Sequence, residues 1–162
     1  MAHIAIEYVI MVPILIMQIF LFPLTAGWLM NIWTDSRRTQ AIKDAVSNLG
    51  STIQQLYFAL NHETISNGRA TYSPGLPQFI EDYHYSANAT LRAVTGQPNS
   101  SKILDIMLML VGTKMTVTTS VVLGPSAQWQ ESTFMSNSTH ACITAEKSSS
   151  SGTTTVTIWF GE

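Results

Sequence analysis

The sequence predicts an α+β fold: a long N-terminal hydrophobic and amphipathic α-helix followed by an antiparallel β-sheet head domain. Three observations carry this. From Tyr8 to Trp33, 26 consecutive residues include no Asp, Glu, Lys or Arg, and 20 of them are apolar. An amphipathic stretch continues to Asn61, and beyond His62 segments rich in β-branched residues alternate with Gly, Pro and Ser clusters. The expected division is residues 1–61 for the helix, with an apolar part 4–33 and an amphipathic part 35–61, and residues 62–162 for the β-rich head.

The apolar part is long enough to cross a bilayer, which takes about 20 mainly apolar residues, and Trp28 and Trp33 fall where an aromatic belt would sit. Pro13 and Pro23 each remove a backbone N–H bond, a loss that membrane helices bear when neighbouring helices satisfy the freed groups, so the prolines point to helix neighbours. A cleaved secretory signal fits badly. The run is too long, no Lys or Arg precedes it, and no small-x-small site closes it.

Composition narrows the function. Charged residues are 11% of the 162, well under the roughly 25% usual for soluble domains, which argues against an ordinary cytosolic enzyme. Net charge is −2 and the eight basic residues stand singly apart from Arg37-Arg38, so no nucleic-acid partner is expected. The single cysteine, Cys142, allows no disulfide within the chain.

Arg37 and Arg38 after the span would place the C-terminal part in the cytoplasm by the positive-inside rule. Three N-glycosylation sequons, at Asn88, Asn99 and Asn137, and a Ser/Thr-rich stretch between Ser126 and Thr157 argue for the outside. Both observations fit a processed chain whose basic leader has been removed.

Glu7-Tyr-Val-Ile-Met-Val-Pro13, followed by Ile14 to Phe22, resembles the N-terminal signature of the type IV pilin superfamily, and the Glu-x5-Pro spacing is similar to that of Tad-type pilin-like proteins. With the sequons and the Thr-rich head, the chain looks more like an archaeal surface pilin than a bacterial one. The resemblance covers about 30 residues. It implies processing by a prepilin peptidase, membrane insertion as a precursor, and packing of N-terminal helices from many copies into a filament core under an outward-facing head. Ile10, Leu15, Ile19, Phe22 and Trp28 are the candidate core positions, and Pro13 and Pro23 the candidate kink and packing positions. Family members usually carry this Glu as the fifth mature residue; here it is the seventh, so either the chain is cut before His3 or the register differs.

Elementary electrostatics gives Glu7 a role of its own. A carboxylate near the start of an apolar helix costs up to about 3 kcal/mol at mid-bilayer unless a cation meets it. A neighbouring copy's N-terminal amine about 4 Å away attracts it by roughly 4 kcal/mol before desolvation, enough to set axial register between subunits. The competing explanation is that Glu7 lies near the membrane surface and gains only from the helix N-terminus.

Asp35 is a candidate N-cap for the amphipathic part. There Ile42, Val46, Leu49, Ile53, Leu56 and Leu60 form one apolar stripe opposite Lys43, Asp44, Ser47, Gln54 and Gln55, expected to pack under the head. An uninterrupted helix from Ile4 to Asn61 would be on the order of 85 Å long at 1.5 Å per residue, too long for a chain of this size to enclose. Residues 62–86 read as an irregular crossing. Five strands follow as an antiparallel meander: Ala89–Thr95, Lys102–Val111, Thr113–Leu123, Thr139–Glu146 and Thr153–Phe160. One sheet face should cover the helix, and the other should be threonine-rich and wet.

No catalytic constellation is legible, so no enzyme is expected. His140-Ala-Cys142 has metal-like spacing but lacks the third and fourth ligands of a zinc site, and reads as a surface histidine beside a core thiol. Asp105, among Ile103, Leu104, Ile106 and Met107, should point to the wet face. The expected function is a structural subunit of an extracellular type IV pilus-like filament: a helical homopolymer with N-glycans, without cofactor or metal, and in contact with membrane before assembly. Two other readings stay open. One is a single-pass membrane-anchored ectodomain that binds a ligand or partner; the other is a minor pilin or assembly factor.

Overall fold

The computed structural model describes the backbone of residues 2–94, 100–150 and 153–161, with side chains from residue 9 onward. Its elements are α1 (Ala2–Leu60), β1 (Gly68–Tyr72), β2 (Tyr85–Ala93), β3 (Lys102–Leu110), β4 (Thr116–Leu123), β5 (Ala127–Trp129), β6 (Thr133–Met135), β7 (Ile143–Ser150) and β8 (Thr153–Phe160). The fold class is α+β, one long N-terminal helix followed by antiparallel-dominated sheets. The chain forms two compact units, residues 1–38 and 39–162.

In the second unit the helix stripe is buried as its period requires. Ile42, Val46, Leu49, Ile53 and Leu60 lie in the core, joined by Ala45 and Tyr57, while Leu56 is half-buried at its margin. These residues share one hydrophobic core with the strands, so residues 39–60 belong with the head rather than with the apolar segment. Contact between helix and sheet is close enough to dictate composition. A Cβ on Gly50 would meet Val121 Cγ2 at 2.8 Å, so only glycine lets the helix backbone lie against β4 there. At Gly124, just after β4, a Cβ would overlap the Tyr57 hydroxyl, which instead bonds Ser126 Oγ at 2.8 Å.

The strands make two four-stranded sheets, in the orders β1-β7-β8-β5 and β4-β3-β2-β6, and not a single five-stranded meander. The five expected strands correspond to β2, β3, β4, β7 and β8. The expectation missed β1, which falls within the supposed irregular crossing and pairs antiparallel with β7, and the three-residue strands β5 and β6. β5 runs parallel to β8, Ala127 beside Val156, while β6 pairs antiparallel with β2, Ala87 opposite Phe134. Strands this short have no readable period of their own; their pairing is decided by neighbours that already offer an edge. Phe134 of one sheet packs edge-to-face on Phe160 of the other at 5.6 Å, and Trp129 packs on Phe160 at 5.0 Å.

Asp35 is not an N-cap. The helix passes through it, so the N–H groups it would have capped bond to carbonyls one turn earlier, and its carboxylate lies 3.6 Å from Arg38 instead. In β8, Val156, Ile158 and Phe160 are buried, and the opposite, threonine-bearing face is less wet than expected of it. Thr155, Thr157 and Trp159 are half-buried, and Trp159 lies under the Arg69 guanidinium.

Candidate functional site

The first unit is dominated by a continuous apolar surface. Every side chain from Val9 to Trp33 is exposed, including the candidate core positions Ile10, Leu15, Ile19, Phe22 (77%) and Trp28. Soluble monomers rarely expose contiguous apolar patches beyond a few hundred Å², so a surface of this kind marks a membrane or protein contact. The helix is long and apolar enough to be a candidate membrane-spanning or signal-like segment.

Pro13 and Pro23 lie inside the helix without ending it. Each lacks the N–H that would reach the carbonyl four residues back, at Val9 and Ile19. Just past Pro23 the Thr25 hydroxyl donates to Leu21 O and Phe22 O, both at 3.0 Å, a back-bonding that lets a polar side chain sit within an apolar surface. At the polar end Arg37 stands over the Trp33 ring at 5.8 Å, an amphipathic pair one helical turn apart. Glu7 lies on the helix backbone, and its side chain is outside the described residues.

Asn88 sits mid-strand in β2, exposed, with Met107 of β3 and Thr133 of β6 as its cross-strand neighbours. Asn137 is exposed in the turn after β6. Asn99 lies outside the described residues. The two described sequon asparagines are both accessible, and neither carries the core.

Asp105 faces the solvated side of β3, where Thr90 and Ser120 are its cross-strand neighbours and Arg92 forms an ion pair with it. Hydrogen bonds from the Arg92 guanidinium and then from the Ser120 hydroxyl hold its carboxyl below the usual carboxylate range. This is a surface network with every partner accounted for. His140 is exposed in the turn before β7 and Cys142 is buried, a surface histidine beside a core thiol. Among the described residues no group of three or more His, Cys, Asp or Glu is placed to hold a metal ion.

A cavity of about 230 Å³ in the head is lined by residues that include Leu76, Tyr85, Phe134 and Ser136. Its Ser136 and Tyr85 hydroxyls are already bonded. Ser136 Oγ accepts from Tyr85 N at 2.9 Å and donates to Gln78 O at 2.7 Å, and the Tyr85 hydroxyl donates to Pro77 O at 2.7 Å. Burial pushes the Tyr85 phenol up to about 12. The arrangement locks the 73–80 segment to β2 and β6.

Sequence reasoning gave no role to Lys147, which is buried at the end of α1. The signal was present in the alternation Ile143, Ala145, Lys147, which places all three on the inner face of β7. No family model, no curated protein and no solved structure matches this chain.

Proposed function

We propose that the chain is a structural, non-enzymatic subunit of a type IV pilus-like filament outside the cell, held in the membrane as a precursor and assembled by packing the apolar helices of many copies. What supports the reading is the run from Val9 to Trp33, whose large apolar side chains are exposed and require apolar surroundings. A head-to-tail contact that does not close into a ring extends into an open helix, and copies of one helix offer such surroundings without limit. The compact head with its exposed sequons suits the outer surface of such a filament.

A membrane-anchored ectodomain is supported by the same span, which is long enough to cross a bilayer alone. Electron microscopy of material sheared from source cells, with mass spectrometry of its dominant band, separates the two. Thin filaments made mostly of this chain support the proposal. A chain that stays in the detergent-soluble membrane fraction, in no filament, sinks it.

A further inference from the structure

Four strands lie at sheet edges: β1, β5, β4 and β6. β5 and β6 are three residues each, and β1 is five residues carrying Arg69. Natural proteins blunt edges in these ways, with shortness and charge. β4 is different. It is eight residues long, Thr-Val-Thr-Thr-Ser-Val-Val-Leu, without a charge or a proline, and among the described residues only β3 pairs with it.

Two hydrogen bonds fix which of its backbone groups point away from the sheet. Leu110 N donates to Met115 O at 3.1 Å, so residue 115 bonds toward β3, and by antiparallel alternation so do Val117, Thr119, Val121 and Leu123. Val122 O instead accepts from Gln54 Nε2 of α1 at 3.2 Å, as expected if Thr116, Thr118, Ser120 and Val122 present their N–H and C=O groups outward. The side chains of those four residues are exposed. Gln54 covers one carbonyl, and the edge is otherwise open among the described residues.

We infer that the open edge of β4 pairs antiparallel with β4 of a second copy of this chain, in the register that sets Thr118 against Ser120. The four outward residues are symmetric about position 119, so two copies related by a two-fold axis match 116 with 122 and 118 with 120. That supplies up to about eight inter-strand bonds once Gln54 turns aside. The absence of charge on the strand makes a copy of itself an acceptable partner, since no like charges meet, and the flanking Lys114 falls opposite Gly124. The joined sheet continues one hydroxyl-rich wet face across both copies. Such a contact closes on itself and cannot propagate a filament. If the filament reading holds, it joins copies belonging to two neighbouring filaments.

The test uses the full-length chain in detergent, where filament assembly is not needed, so its outcome does not depend on the filament reading. Thr118→Cys and Ser120→Cys variants, both on the exposed face, are tagged differently, mixed and mildly oxidised; the native Cys142 is buried. The inferred register brings Cα 118 within about 5.5 Å of Cα 120 of the other copy, disulfide distance, and leaves like positions about 7–8 Å apart. The mixed disulfide should exceed either like-with-like product about tenfold, and Thr118→Pro introduced into the Ser120→Cys partner should abolish it, because that N–H points outward and its loss spares the β3 ladder. Equal amounts of mixed and like products, a dominant 118–118 product, no cross-link at all, or a cross-link that survives the proline would each overturn the inference.

Discussion

The Lys147 ammonium donates to the carbonyl oxygen of His62 at 2.9 Å from a side chain that is only 5% exposed, so a strand of one sheet supplies a cation to the turn that follows the long helix. His62 lies in the turn just past Leu60, the last helical residue, and its carbonyl also accepts from Ile65 N at 3.2 Å, so Lys147 ties this turn to β7 and sets a cation near the negative end of the helix dipole. Lys147→Met keeps the stem and deletes the charge. It is expected to lower the unfolding free energy by about 2 kcal/mol in urea denaturation, the range for a hydrogen bond to a charged group. A loss below about 0.5 kcal/mol would show that this contact adds little to the anchoring of the turn.

The Tyr85 hydroxyl sits against Pro77 O, with a phenol pushed up to about 12 by burial. A folded pKa above the unfolded value near 10 contributes stability that is complete below pH 10 and is lost as pH rises through the folded value. Unfolding free energy should therefore fall between about pH 10 and 12, by about 1–2 kcal/mol for this residue. Tyr85→Phe should flatten that fall while costing about 1 kcal/mol at neutral pH. An unchanged alkaline profile in Tyr85→Phe would assign the loss to other groups.

The approach of Tyr57 to Gly124 leaves no room for a methyl group. Gly124→Ala should destabilise the head by about 1–3 kcal/mol through overpacking. Adding Tyr57→Phe removes the oxygen that the new methyl would strike, so the double variant should be more stable than the sum of the two singles predicts. Additive losses in a double-mutant cycle would contradict the close contact.

Glu7→Ala and Glu7→Lys should reduce the yield of sheared filaments while circular dichroism of the head stays unchanged, because the carboxylate lies far along the chain from every core residue. Undiminished filament from both variants would remove the register role and leave only the helix N-terminus to explain the residue.

Asn88→Gln and Asn137→Gln, expressed in the source cells, should each lower the intact mass by one glycan and leave thermal stability nearly unchanged, since both asparagines are exposed. No mass change beyond the substitution at either position would show that position to be unmodified.

The long helix, its apolar part and its buried stripe were legible in the chain because helical burial is a local matter: residues three and four apart share a face whatever lies opposite. For the same reason the inner positions of β8 and the solvated side of Asp105 were legible, whereas β3, Lys-Ile-Leu-Asp-Ile-Met-Leu-Met-Leu, is apolar on both faces and its inner positions were not. Which strands are neighbours could not. β1 lies in a stretch whose Asn67-Gly68 reads as a turn, and it becomes a strand because β7, more than seventy residues later, offers it an edge. β5 and β6 owe their existence to β8 and β2 in the same way. The close approaches at Gly50 and Gly124, the placement of Lys147 under the helix end and the open edge of β4 all depend on non-local pairing. The sequence by itself determined what each segment buries; only the tertiary structure decided against what, because hydrophobic periodicity records the need for cover and carries no address for the surface that supplies it.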